Sequence, residues 1–212
     1  MNQFFKDGAA VVFYGDSITD AGRQYADLQN LGMGYPSKVA AIYQTLYAQA
    51  KVHFYNQGIS GNRSCDLLKR YEKDIKPLSP DFISILIGIN DTWRRYDSNS
   101  ITTAEEFEKN YRTLLGNLKK DFPECKIMII EPYLLDSDPA KLVWFEDLNP
   151  KLEVVHRLKE EFADYYLPLG TIFADALKNG ITNTQISADG VHPVDFGHGM
   201  IAVEYLKTLS II

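Results

Sequence analysis

The chain has 212 residues, 45% of them hydrophobic and 24% charged, which suits one globular domain over residues 1–212 that buries roughly 70% of its unfolded surface. A formal net charge of −6, with no lysine or arginine run longer than a pair, speaks against nucleic-acid and anionic-membrane partners and for a neutral or weakly charged small-molecule substrate. The start carries no secretory or membrane-spanning pattern, so a cytoplasmic protein is expected.

The first apolar run, "AAVVFYG" over 9–15, is short, β-branched and aromatic, and reads as a buried strand ending at Gly15. A Gly-Asp-Ser corner follows and puts the hydroxyl of Ser17 at the strand's carboxyl end, where crevices form in open α/β sheets. Ser17 or Asp16 is equally suited to closing a turn or capping a helix. A nucleophilic serine needs a base, an orienting acid and oxyanion donors, so the rest of the chain decides.

Helical spacing in "GYPSKVAAIYQTLYAQ", with Pro36 near its start, is followed by a strand in "VHFYNQG". The latter ends in "NQGISGNRS", a glycine turn whose N–H groups, Gly61 first among them, are also placed to face a developing negative charge. A helix in "SCDLLKRYEKDI" and a strand in "DFISILIG" come next. Beyond that strand lie Gly88, Asn90 and Asp91. Asn90 either closes an Asx turn or donates through its side-chain amide.

A helix within "TAEEFEKNYRTLLGNLKKDF" is expected to start at a capping box of Thr102 and Glu105, and "KIMIIEPY" reads as a strand. The least regular stretch, 134–149 ("LLDSDPAKLVWFEDLN"), is long for a connection and is read as a lid or subunit contact. A helix within "PKLEVVHRLKEEFADYY", a short strand near "YYLPLG", a helix in "FADALKN" and a last helix over 193–209 complete the chain. Strands alternating with helices imply a parallel, right-handed, three-layer α/β sheet.

In "DGVHP", Asp189 and His192 stand three residues apart in a bend, where the carboxylate can hold one imidazole nitrogen while the other faces Ser17. His53, His156 and His198 lie inside expected elements and read as structural. Metal ligation by Asp16, Asp91, Asp189 and His192 is conceivable, yet no paired histidines or cysteine cluster supports zinc. No glycine-rich loop is followed by the Lys and Ser/Thr of a nucleotide site, and no cofactor is expected. Cys65 and Cys125 read as free thiols.

Taken in order, "GDSITD", "GISGN", "GIND" and "DGVHP" resemble the four blocks of the SGNH, or GDSL, hydrolases across nearly the whole chain. The resemblance implies a three-layer α/β/α, flavodoxin-like fold whose parallel five-stranded sheet has the order 2-1-3-4-5. It also implies a triad of Ser17, His192 and Asp189, with an oxyanion hole made by the N–H groups of Ser17 and Gly61 and the amide of Asn90. "LGMGY", "GINDTWRRY" and "DGVHPVDFGH" are similar to the intracellular branch containing acetyl xylan esterases and carbohydrate deacetylases. This implies a homo-oligomeric serine esterase acting on acetylated sugars or oligosaccharides. Where some members carry a tryptophan before the triad aspartate, this chain has Ala188, leaving Trp93 or Trp144 as a possible aromatic wall. Asp16, Trp93, Arg94 and Tyr96 are the expected substrate contacts. The alternatives are a lysophospholipase or acyl thioesterase of the same fold, and a catalytically silent carbohydrate-binding protein.

Overall fold

The computed structural model describes residues 3–212. Strand β1 (Ala10–Gly15) is buried at every position, as a β-branched and aromatic run inside a parallel sheet must be. With β2 (His53–Gly58), β3 (Phe82–Leu86), β4 (Lys126–Ile130) and β5 (Tyr165–Leu167) it forms a five-stranded sheet of order β2-β1-β3-β4-β5. Every pairing is parallel, so each connection crosses over the sheet and brings a helix onto one of its faces.

Side chains alternate along each strand and thereby divide the core in two. Val11 and Phe13 of β1 and Met128 and Ile130 of β4 pack with α2 (Tyr35–Leu46), α7 (Leu169–Lys178) and α9 (Asp195–Thr208), which contribute Val39, Tyr43, Phe173, Ile201 and Tyr205. Val12 and Tyr14, with Ile127 and Ile129, pack against α3 (Ser64–Asp74), α5 (Ala104–Asp121) and α6 (Phe145–Phe162), through Leu67, Tyr71, Leu115, Val155 and Leu158. The result is a three-layer α/β/α sandwich. Among the described residues, no helix is long and apolar enough to cross a membrane.

Local structure departs from the sequence-based expectation in five places. A single turn, α1 (Ser17–Asp20), begins at Ser17 and is capped by Asp16, whose Oδ1 accepts from the N–H of Ile18 at 3.0 Å. An additional helix, α4 (Ile89–Asp97), starts directly after β3. The capping box of α5 is one residue later than expected: Thr103 Oγ1 accepts from Glu106 N at 3.2 Å, and Glu106 Oε2 accepts from Thr103 N at 3.1 Å. Helix α6 begins at Phe145 and runs through Pro150, because Trp144, Leu148, Lys151 and Val155, all buried, continue one stripe at helical spacing across the proline. Much of the supposedly irregular 134–149 segment is therefore ordered, as a 3-10 turn (Pro139–Trp144) leading into α6. A short α8 (Asn183–Ile186) precedes the bend before α9. Cys65 and Cys125 are both free.

Removal of the observed cap should be measurable. Thr103→Ala should lose about 1 kcal/mol, a fall in Tm of about 2–4 °C for a chain of this size; an unchanged melt would show that the Thr103 cap contributes nothing.

Candidate active site

Three neighbouring strands end at one level. Gly15 of β1 pairs with Gly58 of β2 and with Leu86 of β3, so the chain leaves the sheet three times along one rim. A side chain at Gly58 would collide with the backbone of Asp20, and it is the absence of one that lets α1 sit tightly against the end of β2. Ser17 is the first residue of α1, where a backbone N–H has no partner within the helix. Gly61 lies in the loop after β2 at φ +82°, a left-handed conformation that suits glycine, and among the described residues its N–H has no backbone partner. Asn90 is buried in the first turn of α4; its Nδ2 donates to the carbonyl of Asn62 at 3.1 Å, which uses one of the two amide hydrogens.

The fourth sequence block arrives from the other side. Ser17 Oγ lies 3.0 Å from His192 Nε2, and His192 Nδ1 lies 2.8 Å from Asp189 Oδ2. The second oxygen, Oδ1, accepts from the backbone N–H groups of His192 at 2.7 Å and Val191 at 2.9 Å. Burial pushes the Asp189 carboxyl up, but the hydrogen bond to the His192 ring, together with these two backbone N–H donors, outweighs it and holds the group well below the usual carboxylate range. Its hydrogen bond, and then its charge, in turn raise His192 above an ordinary histidine, against an opposing push from burial. A chain of hydroxyl, imidazole and carboxylate in this order can move a proton from Ser17 Oγ to His192 Nε2 when Nδ1 carries the hydrogen shared with Asp189.

The other expected site residues are more dispersed. Asp16 is fully buried and spent on capping α1, so it offers no open surface to a substrate; burial drives its carboxyl up to about 7. Asp91 is also buried and pushed up to about 6. It accepts from the N–H and hydroxyl of Ser64 at 2.9 and 2.7 Å, tying α4 to α3 rather than orienting His192. The ring of Trp93 is 5.8 Å from that of His192 and 5.1 Å from Trp144. Arg94 pairs with Asp97. Tyr96 stacks on Trp144 and donates to the carbonyl of Val143 at 2.9 Å. Of the three α4 residues, Trp93 is the one that borders the imidazole.

Open space adjoins the serine on its other flank. A cleft of about 440 Å³ is lined by Ser17, Ile18, Ala21, Met33, His192, Pro193, Asp195 and His198. Burial pushes His198 down to about 4, and its Nδ1 accepts from the N–H of Tyr35 at 3.2 Å, so it is a neutral, structural histidine. Met33, within "LGMGY", and Ile18, within "GDSITD", also line the cleft, although neither was expected as a site residue, because an apolar side chain carries no chemical signal of its own. Sequence reasoning also passed over Lys141, whose Nζ donates to the carbonyl of Asp189 at 2.6 Å. His156 sits apart, 3.0 Å from Glu131. Among the described residues, no group of three or more His, Cys, Asp or Glu side chains is arranged to hold a metal ion.

A family model described as GDSL-like lipase/acylhydrolase matches residues 13–200. The acetylxylan esterase of Geobacillus stearothermophilus is 31% identical, with 96% of this chain and 94% of the relative covered. A crystal structure of an acetylxylan esterase from that organism superposes with a TM-score of 0.86 at 30% identity, covering 96% of this chain and 95% of the other. Two further crystal structures from that organism are of catalytic mutants, one with a serine and one with a histidine replaced by alanine. The crystal structure of a protein from Parabacteroides merdae described as a GDSL-like lipase superposes with a TM-score of 0.92 at 31% identity, over 98% of each chain.

The electrostatics carry a sign that titration can check. Because the ionised Asp189 stabilises the imidazolium, His192 should lose its proton at a pH above the ordinary histidine value of about 6.5. In Asp189→Asn the midpoint of its ring resonances should move down; an unchanged midpoint would mean that Asp189 does not govern His192.

Proposed function

On the premise that the chain belongs to the GDSL-like lipase/acylhydrolase family and is a carboxylic ester hydrolase, we propose that it removes small acyl groups, acetyl above all, from O-acylated carbohydrates. The observation that carries this reading is the unbroken contact from Ser17 through His192 to Asp189, at 3.0 and 2.8 Å, beside donors on a shared rim. Support for the acetyl-carbohydrate part comes from the acetylxylan esterase relative.

In this reading His192 takes the proton of Ser17, and Oγ attacks the ester carbonyl carbon. The carbonyl oxygen, now negative, is held by the N–H groups of Ser17 and Gly61 and by the free amide hydrogen of Asn90. As the tetrahedral species collapses, the C–O bond to the sugar breaks and His192 gives its proton to the departing alkoxide. Water then repeats the attack with His192 as base, releasing acetate and restoring Ser17. Asp189 stays ionised throughout and stabilises the imidazolium that forms in each half-reaction. The catalytic mutants of the Geobacillus stearothermophilus enzyme, in serine and histidine, support giving these roles to the same residue types here.

A second reading, hydrolysis of longer acyl esters or thioesters, is favoured by the cleft beside Ser17, whose walls include Ile18, Ala21, Met33 and Pro193. We give acetyl the preference on the strength of Trp93, whose ring stands 5.8 Å from that of His192 and adds bulk on that side of the imidazole. We further propose that residues 1–212 act as one domain, in the cytoplasm and as a homo-oligomer, with the exposed Leu142 and Val143 as part of the subunit contact.

Ser17→Ala should fold as the parent does and lose essentially all turnover, and a fluorophosphonate probe should label Ser17 in the parent protein; folded protein that takes no label would point to a silent binding protein. Across acetyl, butyryl and octanoyl 4-nitrophenyl esters, kcat/KM should fall. An open apolar cleft would instead reward each buried methylene by about 0.8 kcal/mol, roughly fourfold, and a rise toward octanoyl would establish the long-chain reading. Asn90→Ala should lower kcat by about 10²–10³; an effect confined to KM would make Asn90 a ground-state contact.

A further inference from the structure

Lys141 lies on the 3-10 turn between β4 and α6, nearly fifty positions from the Asp189 bend, and yet its side chain is only 13% exposed. Lysine is rarely held so far from water without a partner. Here its Nζ donates to the Asp189 carbonyl at 2.6 Å, stands 4.0 Å from Asp189 Oδ2 and 3.5 Å from Asp138 Oδ2. The same ammonium is 5.4 Å from the ring centre of Trp93 and 5.7 Å from that of Trp144, within cation–π range. These contacts together hold one charge beside the carboxylate that faces His192.

We propose that Lys141 is a positioning residue for the Asp189–His192 pair: it anchors the main chain at Asp189 and, by its charge, offsets part of the carboxylate's hold on the imidazolium proton. The inference rests on the reading of Ser17, His192 and Asp189 as the catalytic group. A base that must be neutral to accept the proton of Ser17 is hindered when its carboxylate partner binds the imidazolium too strongly. A cation 4.0 Å from that carboxylate relieves this without disturbing the His192–Asp189 hydrogen bond.

The other charges facing His192 leave this role to Lys141. Asp16, buried behind α1, acts in the opposite direction and raises the histidine. On α9, His198 is pushed down to about 4 and is neutral, while Asp195 is paired with Lys38 of α2 at 2.7 Å. Asp138 faces Lys141 itself. Of these groups Lys141 is the cation beside the pair, 4.0 Å from Asp189 Oδ2, and its charge acts with burial against the proton on His192.

The test is a histidine-ring NMR titration of the full chain, with His192 identified by the resonance missing from His192→Asn. Lys141→Met keeps the stem against the two tryptophans and removes the charge; its His192 midpoint should rise by about half a unit. Lys141→Arg, which keeps the charge, should return it to the parent value. The acid limb of kcat/KM for 4-nitrophenyl acetate should move in the same direction. An unshifted midpoint in Lys141→Met, or an equal shift in Lys141→Arg, overturns the proposal, even if activity falls, because packing alone would then explain the loss. If circular dichroism shows that the methionine variant does not fold, Lys141→Gln answers the same question. The titration needs no turnover: parent protein that hydrolyses no ester would refute the esterase reading, while the midpoints would still support or overturn the role of Lys141.

Discussion

Everything chemical in this molecule depends on the parallel sheet ending its central strands together. A parallel ladder repeats evenly, and with β1 between β2 and β3 the three chains reach the rim at Gly15, Gly58 and Leu86. Each must turn at once, and the start of a turn or helix is where backbone N–H groups lack internal partners. Ser17, Gly61 and Asn90 stand just past those three exits. Their nearness follows from register, so a strand slipped by one residue would break up the set and also reverse which side chains face each half of the core.

The Asp189–His192 bend has no strand of its own and is supported from outside. Its brace is the connection that leaves β4. Tyr133 donates through its hydroxyl to the carbonyl of Val191 at 2.7 Å, Leu135 N donates to the carbonyl of Gly190 at 2.9 Å, Ser137 Oγ to that of Ser187 at 2.6 Å, and Lys141 to that of Asp189. Two irregular segments thereby satisfy each other's backbone groups, as buried loops must. Gly190, at φ +82°, sits where an added side chain would collide with the carbonyl of Leu135. The imidazole is thus carried by a double-layered loop in place of a single flexible one, which keeps His192 within reach of Ser17 at little cost in ordering.

The carboxylates around the serine are sorted by surroundings rather than by residue type. Asp189 accepts several N–H donors and stays ionised; Asp16 and Asp91, deeper in the fold, are pushed toward neutrality by burial. Asp16 nevertheless caps α1, and that cap leaves the hydroxyl of Ser17 free to meet His192. Within this corner the cap falls to Asp16 and the contact with the imidazole to Ser17, its neighbour.

Local periodicity was enough to determine the five strands, the longer helices that cover the sheet and the three-layer class, but not the short α1, α4 and α8, because an apolar run of period two or 3.6 admits few ways to be buried and those helices are too brief to display one. The three polar blocks that follow β1, β2 and β3 were legible for the same reason, each interrupting an apolar pattern with residues that cannot continue it, while the Asp189–His192 block stood out by the spacing of its acid and base in a bend before the last helix. Features set by side chains meeting across the fold were not legible. Thr103 rather than Thr102 caps α5, since helix ends shift by a residue at little energetic difference. Helix α6 passes Pro150 because its apolar stripe is anchored on both sides of it. Asp16 and Tyr96 turned inward, to a cap and to Trp144, although their positions in the chain put them beside reactive neighbours. Lys141 reaches Asp189 across nearly fifty residues of chain, a contact with no local pattern to announce it. Proximity of that kind depends on how two loops pack once the sheet has formed, and only the tertiary structure decides it.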